Sequence, residues 1–236
     1  MGWNSWDCYY SSANEKIVMD NARYMALNGL DKYGWEYVVL DIRWYANHPS
    51  LGGGWYNQRG DQDCVLDEYG RYVPSPSRFP SCMVDGVNRG FKAMADSIHA
   101  MGLKFGIHIM RGLPKYILEN PSKYKLKGSE NTPWSSVYKS TNPECGWLAD
   151  NLTIQNNKYG QLYYNSIFDM YAEWGIDFIK IDDLSRPFYT DEIRMIRKAI
   201  DQTGRPIVLS LSPGKTHFQY AQDCLENANM WRMMDD

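Results

Sequence analysis

Three stretches of the sequence repeat one local pattern, in which a helix-like segment is followed by a turn containing glycine and then by an apolar run. They read MGLKFGI (101–107), WGIDFIKI (174–181) and TGRPIVLSL (203–211). Apolar runs of this kind are typical of strands buried on both faces, and glycine suits the turn that leaves a helix. The repetition predicts a parallel sheet whose strands are connected by helices.

The same criteria, applied along the whole chain, predict six strands and five helices within one domain. Strands are expected over 2–6, 37–42, 103–109, 177–182, 206–211 and 229–232, and helices over 14–28, 90–101, 161–174, 190–203 and 215–228. Two long polar segments, 45–89 and 112–160, interrupt the alternation. This α/β order fits either a doubly wound sheet or part of a (β/α)8 barrel of the TIM type.

Composition and charge bear on the class of partner. Lys and Arg total 25 and Asp and Glu total 28, so neither a nucleic-acid partner nor a membrane surface is predicted. No apolar run reaches the length of a membrane span, and no signal peptide is visible. The localisation and the oligomeric state are therefore both left open. The five cysteines form no CxxC pair, and no metal or other cofactor is predicted.

Polar residues collect where the predicted strands end. The carboxyl ends of parallel strands share one edge of a sheet or one mouth of a barrel, so these side chains are expected to form a site. No GxGxxG or GxxxxGK[ST] motif follows the first strands, so a nucleotide phosphate loop is not predicted. The polar residues are Asp41, Arg43, His108, Arg111, Asp182, Asp183, Ser210, Ser212 and 232–236.

The stretch GIDFIKIDDLS (175–185) places a lysine and two aspartates at the end of one predicted strand. Lys180 and Asp182 are two residues apart and therefore share a face, whereas Asp183 points elsewhere. A nearby ammonium favours the ionised form of a carboxyl group, and an ionised, rigidly held Asp182 suits a nucleophile. The alternative is a buried ion pair that only orients the strand.

A second acidic signal is NMWRMMDD (229–236). Arg232 suits binding of a hydroxyl or carboxylate group, and Asp235 or Asp236 suits a general acid. Cleavage of a glycosidic bond requires two carboxyl groups, one at the anomeric carbon and one that protonates the leaving oxygen. The alternative is a solvated acidic segment without a catalytic role.

Six motifs together resemble glycoside hydrolase family 27, the α-galactosidases and α-N-acetylgalactosaminidases, and its bacterial members most closely. They are MGWNSWD, DEYGRYVPSPSRFP, GLKFGIHIMRG, WGIDFIKIDD, RPIVLSLSPG and ANMWRMMDD. The resemblance implies a (β/α)8 catalytic barrel, a following β-sandwich domain and a retaining, metal-free mechanism. It therefore implies that residues 1–236 are a catalytic barrel domain with about six of eight strands, incomplete at the C-terminus and inactive or weakly active alone.

The resemblance also implies roles for individual residues. Asp182 corresponds to the nucleophile, and Asp236, four residues after the motif's arginine, corresponds to the acid/base. The residues expected to bind the carbohydrate substrate are Trp6 as a platform for the ring and Asp41, Lys180 and Arg232 as partners of its hydroxyls.

Among the positions that depart from the α-galactosidase pattern, three bear on the predicted substrate. Ile42 replaces a second aspartate, so an apolar wall stands where the sugar's hydroxymethyl group would find an acceptor. This fits β-L-arabinopyranose, which lacks the hydroxymethyl group, or a different mode of galactose binding in the bacterial members. Ser212 replaces a glutamate and leaves room for a 2-acetamido group. His108 replaces a tyrosine and is expected either to donate to the sugar or to serve a structural role.

The leading hypothesis is a retaining exo-glycosidase of the α-galactosidase type. The alternatives are β-L-arabinopyranosidase specificity, α-N-acetylgalactosaminidase specificity, and a carbohydrate-binding chain without catalytic activity.

Overall fold

The computed structural model describes residues 1–48, 63–139, 145, 148, 150–212 and 214–235. At its centre is a parallel sheet of six strands: β1 (Gly2–Asn4), β2 (Tyr37–Leu40), β3 (Lys104–Met110), β4 (Phe178–Asp182), β5 (Val208–Leu211) and β6 (Met230–Trp231). The strands lie side by side in chain order, without the reversal that defines a doubly wound sheet. This order is that of a (β/α)8 barrel, so both the predicted fold class and the six predicted strands are confirmed.

Helices connect successive strands. They are α1 (Glu15–Leu27), α2 (Lys92–Ala100), α3 (Lys158–Trp174), α4 (Thr190–Gln202) and α5 (Ala221–Asn227), with one further turn of helix at Trp6–Tyr9. Short 3-10 turns cover Tyr10–Ser12, Leu30–Tyr33, Pro80–Cys82, Lys115–Glu119, Pro121–Lys123, Trp134–Ser136 and Phe218–Tyr220. Among the residues that the structure describes, no helix is both long and apolar enough to pass through a bilayer.

The two long polar segments contain small elements that periodicity did not predict. Met83–Val84 pairs with Val87–Asn88, and Leu113–Pro114 pairs with Asn151–Leu152, both as antiparallel strands. Two-residue strands carry too few side chains to produce an alternating pattern in the sequence.

Capping residues set the helix boundaries. Helix α3 begins at Lys158, three residues before its predicted start, because the Asn157 side chain accepts the N–H groups of Tyr159 and Gly160 at 2.8 and 2.9 Å. It ends before Gly175, whose φ of 85° is the left-handed conformation that closes many helices. The predicted helix over 215–228 is shorter, since α5 covers only its second half.

The alternation along β4 separates the apolar core from the interior of the barrel. Ile179 and Ile181 are fully buried in the main apolar core, together with side chains from the surrounding helices. Lys180 lies on the opposite face. The register pairs His108 with Lys180 and Lys180 with Ser210, so neighbouring strands present a row of polar side chains to the barrel interior.

Candidate active site

Asp182 occupies the carboxyl end of β4 and is only 7% exposed. Its Oδ2 lies 2.7 Å from Nε2 of His108, without the alignment of a hydrogen bond. Within the described residues its Oδ1 has no hydrogen-bond partner. A buried carboxylate oxygen without a partner is costly, and such exceptions are concentrated at functional sites. The predicted nucleophile therefore has an oxygen whose hydrogen-bonding capacity no described residue satisfies.

Asp41 and Lys180 form an ion pair beside Asp182. Asp41 Oδ2 accepts from Lys180 Nζ and from Asn4 Nδ2, both at 3.0 Å, and Asp41 Oδ1 accepts the N–H of Ile42 at 2.9 Å. The Lys180 ammonium thus pairs directly with the carboxylate of Asp41, the residue after β2, rather than forming a simple pair with Asp182.

The pKa values of this pair are set by burial and by charge. Burial alone would raise the pKa of Asp41, but the nearby His108 and Lys180 and its hydrogen bonds bring that pKa below its ordinary value. Burial alone would lower the pKa of Lys180, but Asp41 and Asp182 raise it. Both members of the pair are therefore held in their charged forms.

His108 lies next to Asp182 and is fully buried. Its ring contacts the Asp182 carboxylate, and its backbone carbonyl accepts the indole N–H of Trp44 at 2.7 Å. In this position the His108 ring can support the Asp182 side chain. A direct contact between His108 and a sugar stays a prediction.

Trp6 and Ile42 belong to one apolar surface at the same end of the sheet. Ile42, Met110, Cys145 and Leu148 form a small buried cluster, against which the partly buried Trp6 packs. We call these five residues the apolar wall. The structure therefore brings the predicted sugar platform together with the predicted apolar substitution.

Asn4 connects this wall to the ion pair. Its Oδ1 accepts the backbone N–H of Trp6 at 2.8 Å, while its Nδ2 donates to Asp41. The asparagine was not singled out in the sequence, although it lies in the opening motif with Trp6. Its two hydrogen bonds fix the start of the Trp6 turn relative to the charged residues.

Ser212 and Arg232 follow β5 and β6 at the same end of the sheet. Ser212 is buried, and its N–H donates to the carbonyl of Ile181 at 2.9 Å. Arg232 is partly exposed and lies near enough to Lys180 for its charge to lower the pKa of that lysine. The carbonyl of Arg232 accepts the N–H of Thr216 at 2.9 Å.

The predicted acid/base, Asp236, lies outside the described residues, so its role stays a prediction. Its neighbour Asp235 accepts a hydrogen bond from Arg186 and one from the N–H of Lys215 at 3.0 Å. The bond from Lys215 is the main cause that lowers the pKa of Asp235. A carboxyl group stabilised as the anion is a poor proton donor, which argues against Asp235 as the acid.

A buried charged network behind Asp182 escaped the sequence prediction. Arg111 Nη2 lies 2.8 Å from Asp183 Oδ2, and Arg111 Nη1 donates to Glu192 Oε1 at 2.9 Å. Arg111 and Asp183 stood out as charged residues at strand ends; that Asp183 points away from the face of Asp182 stays a prediction. The sequence contained a weaker indication for Glu192, which lies three and four residues before Met195 and Ile196 and hence on the buried face of α4.

Asp182, the Asp41–Lys180 pair and the apolar wall are together suited to attack on an electrophilic carbon and to binding an uncharged polar ligand with one apolar face. In the described part of the chain, no group of three or more His, Cys, Asp or Glu side chains is arranged to hold a metal ion. None of the five cysteines is in a disulfide.

No family model matches the chain. A β-L-arabinopyranosidase of glycoside hydrolase family 27 from Geobacillus stearothermophilus has a TM-score of 0.89 and 46% identity, covering 100% of this chain and 53% of that one. A candidate α-N-acetylgalactosaminidase from Bacillus halodurans has a TM-score of 0.77 and 43% identity, covering 94% of this chain and 50% of that one.

Curated proteins with related sequences include an α-galactosidase from Schizosaccharomyces pombe. It is 26% identical over 249 residues, which cover 100% of this chain and 41% of that protein. An α-N-acetylgalactosaminidase from Gallus gallus is 26% identical over 256 residues, covering 100% of this chain and 47% of that protein. The chain therefore spans about half the length of its relatives or less.

Proposed function

Because the chain belongs to glycoside hydrolase family 27, we propose that it is part of the catalytic barrel of a retaining exo-glycosidase. The complete protein would contain the remaining barrel strands and a β-sandwich domain. Two observations support this proposal: the relatives are about twice as long, and β1 and β6 are the edges of an open sheet in the described residues.

In the proposed reaction, Asp182 attacks the anomeric carbon and forms a covalent glycosyl ester. Asp236 protonates the departing oxygen and then removes a proton from the water that hydrolyses the ester. For retention the two carboxyl groups should lie about 5 Å apart. The observation that carries the proposal is the buried Asp182 carboxylate, whose Oδ1 is without a partner among the described residues.

The neighbouring residues would bind the sugar. The Asp41–Lys180 pair offers an acceptor and donors to adjacent hydroxyls, and both groups are already held by the protein before a ligand arrives. Preorganised polar groups stabilise a transition state at a smaller cost of reorganisation than mobile ones. Trp6 would provide the apolar platform for the C–H face of the ring.

The apolar wall favours β-L-arabinopyranosides over α-D-galactosides. The two sugars share their ring stereochemistry, but galactose carries a hydroxymethyl group that arabinopyranose lacks. Ile42 is 2% exposed and is packed among apolar side chains, so a hydroxyl directed at it would lose its hydrogen bonds to water without replacement. A pocket with this wall should discriminate against the larger, more polar sugar.

The complete protein should be assayed in parallel against nitrophenyl β-L-arabinopyranoside, α-D-galactoside and α-N-acetylgalactosaminide. We expect the arabinopyranoside to have the highest kcat/KM, and NMR to show that the first product keeps the anomeric configuration of the substrate. Hydrolysis of none of the three, with sugar binding preserved, would instead support a carbohydrate-binding protein.

Two variants of Ile42 test the role of the wall. Ile42→Ala opens space for the hydroxymethyl group, so the ratio of galactosidase to arabinopyranosidase activity should rise about tenfold. Ile42→Val retains most of the wall and is the matched control, for which the ratio should change less than about threefold. A higher kcat/KM for galactoside in the wild type would contradict the specificity argument while leaving the reaction class intact.

A further inference from the structure

The residue after the proposed nucleophile has an uncommon backbone conformation. Asp183 has a φ of 65°, in the left-handed region that residues other than glycine, asparagine and aspartate rarely adopt. This conformation sets the direction in which the chain leaves β4 directly after Asp182. Such a position persists only where surrounding contacts determine it.

Arg111 supplies those contacts from the neighbouring strand. It follows Met110, which is in register with Asp182. The backbone N–H of Arg111 donates to the carbonyl of Asp182 at 3.2 Å, and its Nε donates to the carbonyl of Asp183 at 2.7 Å. Its Nη2 lies 2.8 Å from the Asp183 carboxylate. Arg111 therefore holds both the backbone and the side chain of Asp183.

The guanidinium is held in turn by other elements. Its Nη1 donates to Thr153 Oγ1 at 2.6 Å and to Glu192 Oε1 at 2.9 Å. Glu192 is buried in the first turn of α4 and accepts the hydroxyl of Tyr164 from α3. The Cζ of Arg111 lies 3.5 Å from the centre of the Tyr189 ring. A planar guanidinium with partners in several directions has little freedom to rotate.

The network also reaches the apolar wall. The thiol of Cys145, which is one of the wall residues, lies close enough to the Asp183 carboxyl group to lower its pKa. The residue after β4 is therefore held by Arg111 and lies beside the apolar wall of the proposed sugar site. Displacement of Asp183 would be expected to move Asp182 relative to a bound sugar.

We infer that Arg111 is a positioning residue, which acts with Asp183 and Glu192 to fix the end of β4 so that Asp182 meets the anomeric carbon in line. The inference rests on the proposed function, because it requires Asp182 to be the nucleophile. Arg111 is 3% exposed and acts through the backbone rather than through the sugar. Its loss should therefore slow the chemical step without weakening sugar binding.

The test compares Arg111→Lys with Arg71→Lys in the complete protein. Lysine retains the charge but lacks the planar fork, so Asp183 loses part of its support. Arg71 is a matched control, because it is also buried and paired, with Asp67, and donates to the carbonyl of Ser166 in α3 rather than to a strand end.

We expect Arg111→Lys to lower kcat roughly 10- to 100-fold, since small displacements of reacting groups have effects of this size. KM, and the affinity for L-arabinose measured by calorimetry, should change less than about threefold. Arg71→Lys should retain the wild-type kcat per folded molecule, with the folded fraction measured by circular dichroism.

A second pair of variants decides the question if Arg111→Lys does not fold. Asp183→Asn tolerates the left-handed backbone and still accepts from Arg111, whereas Asp183→Ala does neither. We expect Asn to keep kcat within about threefold of the wild type and Ala to reduce it at least about tenfold.

The possible outcomes separate this inference from the proposed function. Wild-type kcat per folded molecule in Arg111→Lys or Asp183→Ala, in an enzyme that Asp182→Ala inactivates, overturns the inference alone. A complete wild-type protein that hydrolyses no glycoside overturns the proposed function and the inference with it.

Discussion

The two aspartates at the ends of β4 differ in how completely their carboxylate oxygens are hydrogen-bonded. Asp177, just before the strand, has partners for both oxygens: Oδ1 accepts from Arg205 at 2.5 Å, and Oδ2 accepts the N–H of Phe105 at 2.9 Å. The ring of His99 also lies 2.7 Å from Oδ2. This carboxylate links the amino ends of neighbouring strands to the adjoining loop and helix.

Among the described residues, the Asp182 carboxylate at the other end has no well-aligned hydrogen bond: its Oδ2 makes the unaligned contact with His108, and its Oδ1 has no hydrogen-bond partner. The comparison teaches that a charge beside a strand can serve either stability or chemistry, according to whether its hydrogen bonds are complete. In (β/α)8 barrels the carboxyl ends of the strands carry the active site, in agreement with this division.

The largest effect on activity should follow replacement of Asp182, whose Oδ1 has no hydrogen-bond partner among the described residues. Asp182→Ala should lower kcat by on the order of 10⁴-fold or more, because no other group would form the glycosyl ester. The free energy of unfolding should change by less than about 1 kcal/mol, because loss of the contact with His108 is offset by removal of a buried oxygen without a hydrogen-bond partner. Activity assays and urea denaturation measure the two effects.

Azide provides the control for this variant. As a small nucleophile it should occupy the space of the missing side chain and restore part of the activity, with a glycosyl azide of inverted anomeric configuration as product. Unchanged hydrolysis by Asp182→Ala would remove the proposed mechanism.

Asp177, whose two carboxylate oxygens both have hydrogen-bond partners, should give the reverse result. Asp177→Asn replaces one acceptor oxygen by a donor and leaves Arg205 without its charged partner, so we expect a loss of roughly 1–3 kcal/mol in the free energy of unfolding. The kcat per folded molecule should change less than about threefold, because Asp177 lies at the end of β4 opposite to the site. Loss of activity with an unchanged free energy of unfolding would contradict the claim that Asp177 serves stability rather than catalysis.

A third experiment measures how the free energy of unfolding depends on pH. It concerns Asp183 and Glu192, which share the Arg111 guanidinium near the carboxyl end of β4. Burial raises the pKa of each carboxyl group and outweighs the opposing effect of Arg111. An acid whose pKa is raised on folding contributes stability below its unfolded pKa, and this contribution is lost as pH rises through its folded pKa.

Glu192→Gln should remove this effect for one of the two groups. The wild type should therefore lose stability relative to the variant as the pH rises from the ordinary glutamate range upward, in denaturant titrations at a series of pH values. The lowered pKa of Asp41 acts separately, since its contribution is lost only as pH falls below the ordinary aspartate range. A stability difference between wild type and variant that does not change with pH would contradict the assigned direction.

The smallest effect is expected at Asp235. Its side chain accepts from Arg186 and from Lys215 at the surface, and exposed ion pairs contribute little. Asp235→Asn should therefore keep kcat within about threefold of the wild type, whereas Asp236→Asn should strongly reduce activity toward substrates with poor leaving groups. A large loss in Asp235→Asn would reassign the acid.

Local patterns in the sequence were enough for the strands and for part of the site. Apolar runs located the six strands, three of them directly after a glycine turn, and the motif DFIKIDD placed Lys180 and Asp182 on one face of the correct strand end. Only Ile42 and Trp6 of the apolar wall were anticipated, because Met110 and Leu148 are ordinary apolar residues until the fold brings them together with these two.

The partners of the charged groups were not predictable, because they are distant in the chain. Lys180 and Asp41 are separated by 139 residues, and Arg111 and Glu192 by 81. Short-range periodicity predicts on which face of an element a residue lies, but not which charge faces it from another strand. The unpartnered Oδ1 of Asp182 likewise depends on three-dimensional packing.

Trapping the covalent intermediate tests the central claim most directly. The complete protein would be treated with an activated fluorinated β-L-arabinopyranoside or α-galactoside, digested, and examined by mass spectrometry. We predict one glycosyl ester per molecule, on the peptide that contains Asp182 and on that side chain. A glycosyl group attached to any other residue would contradict the assignment of Asp182 as the nucleophile.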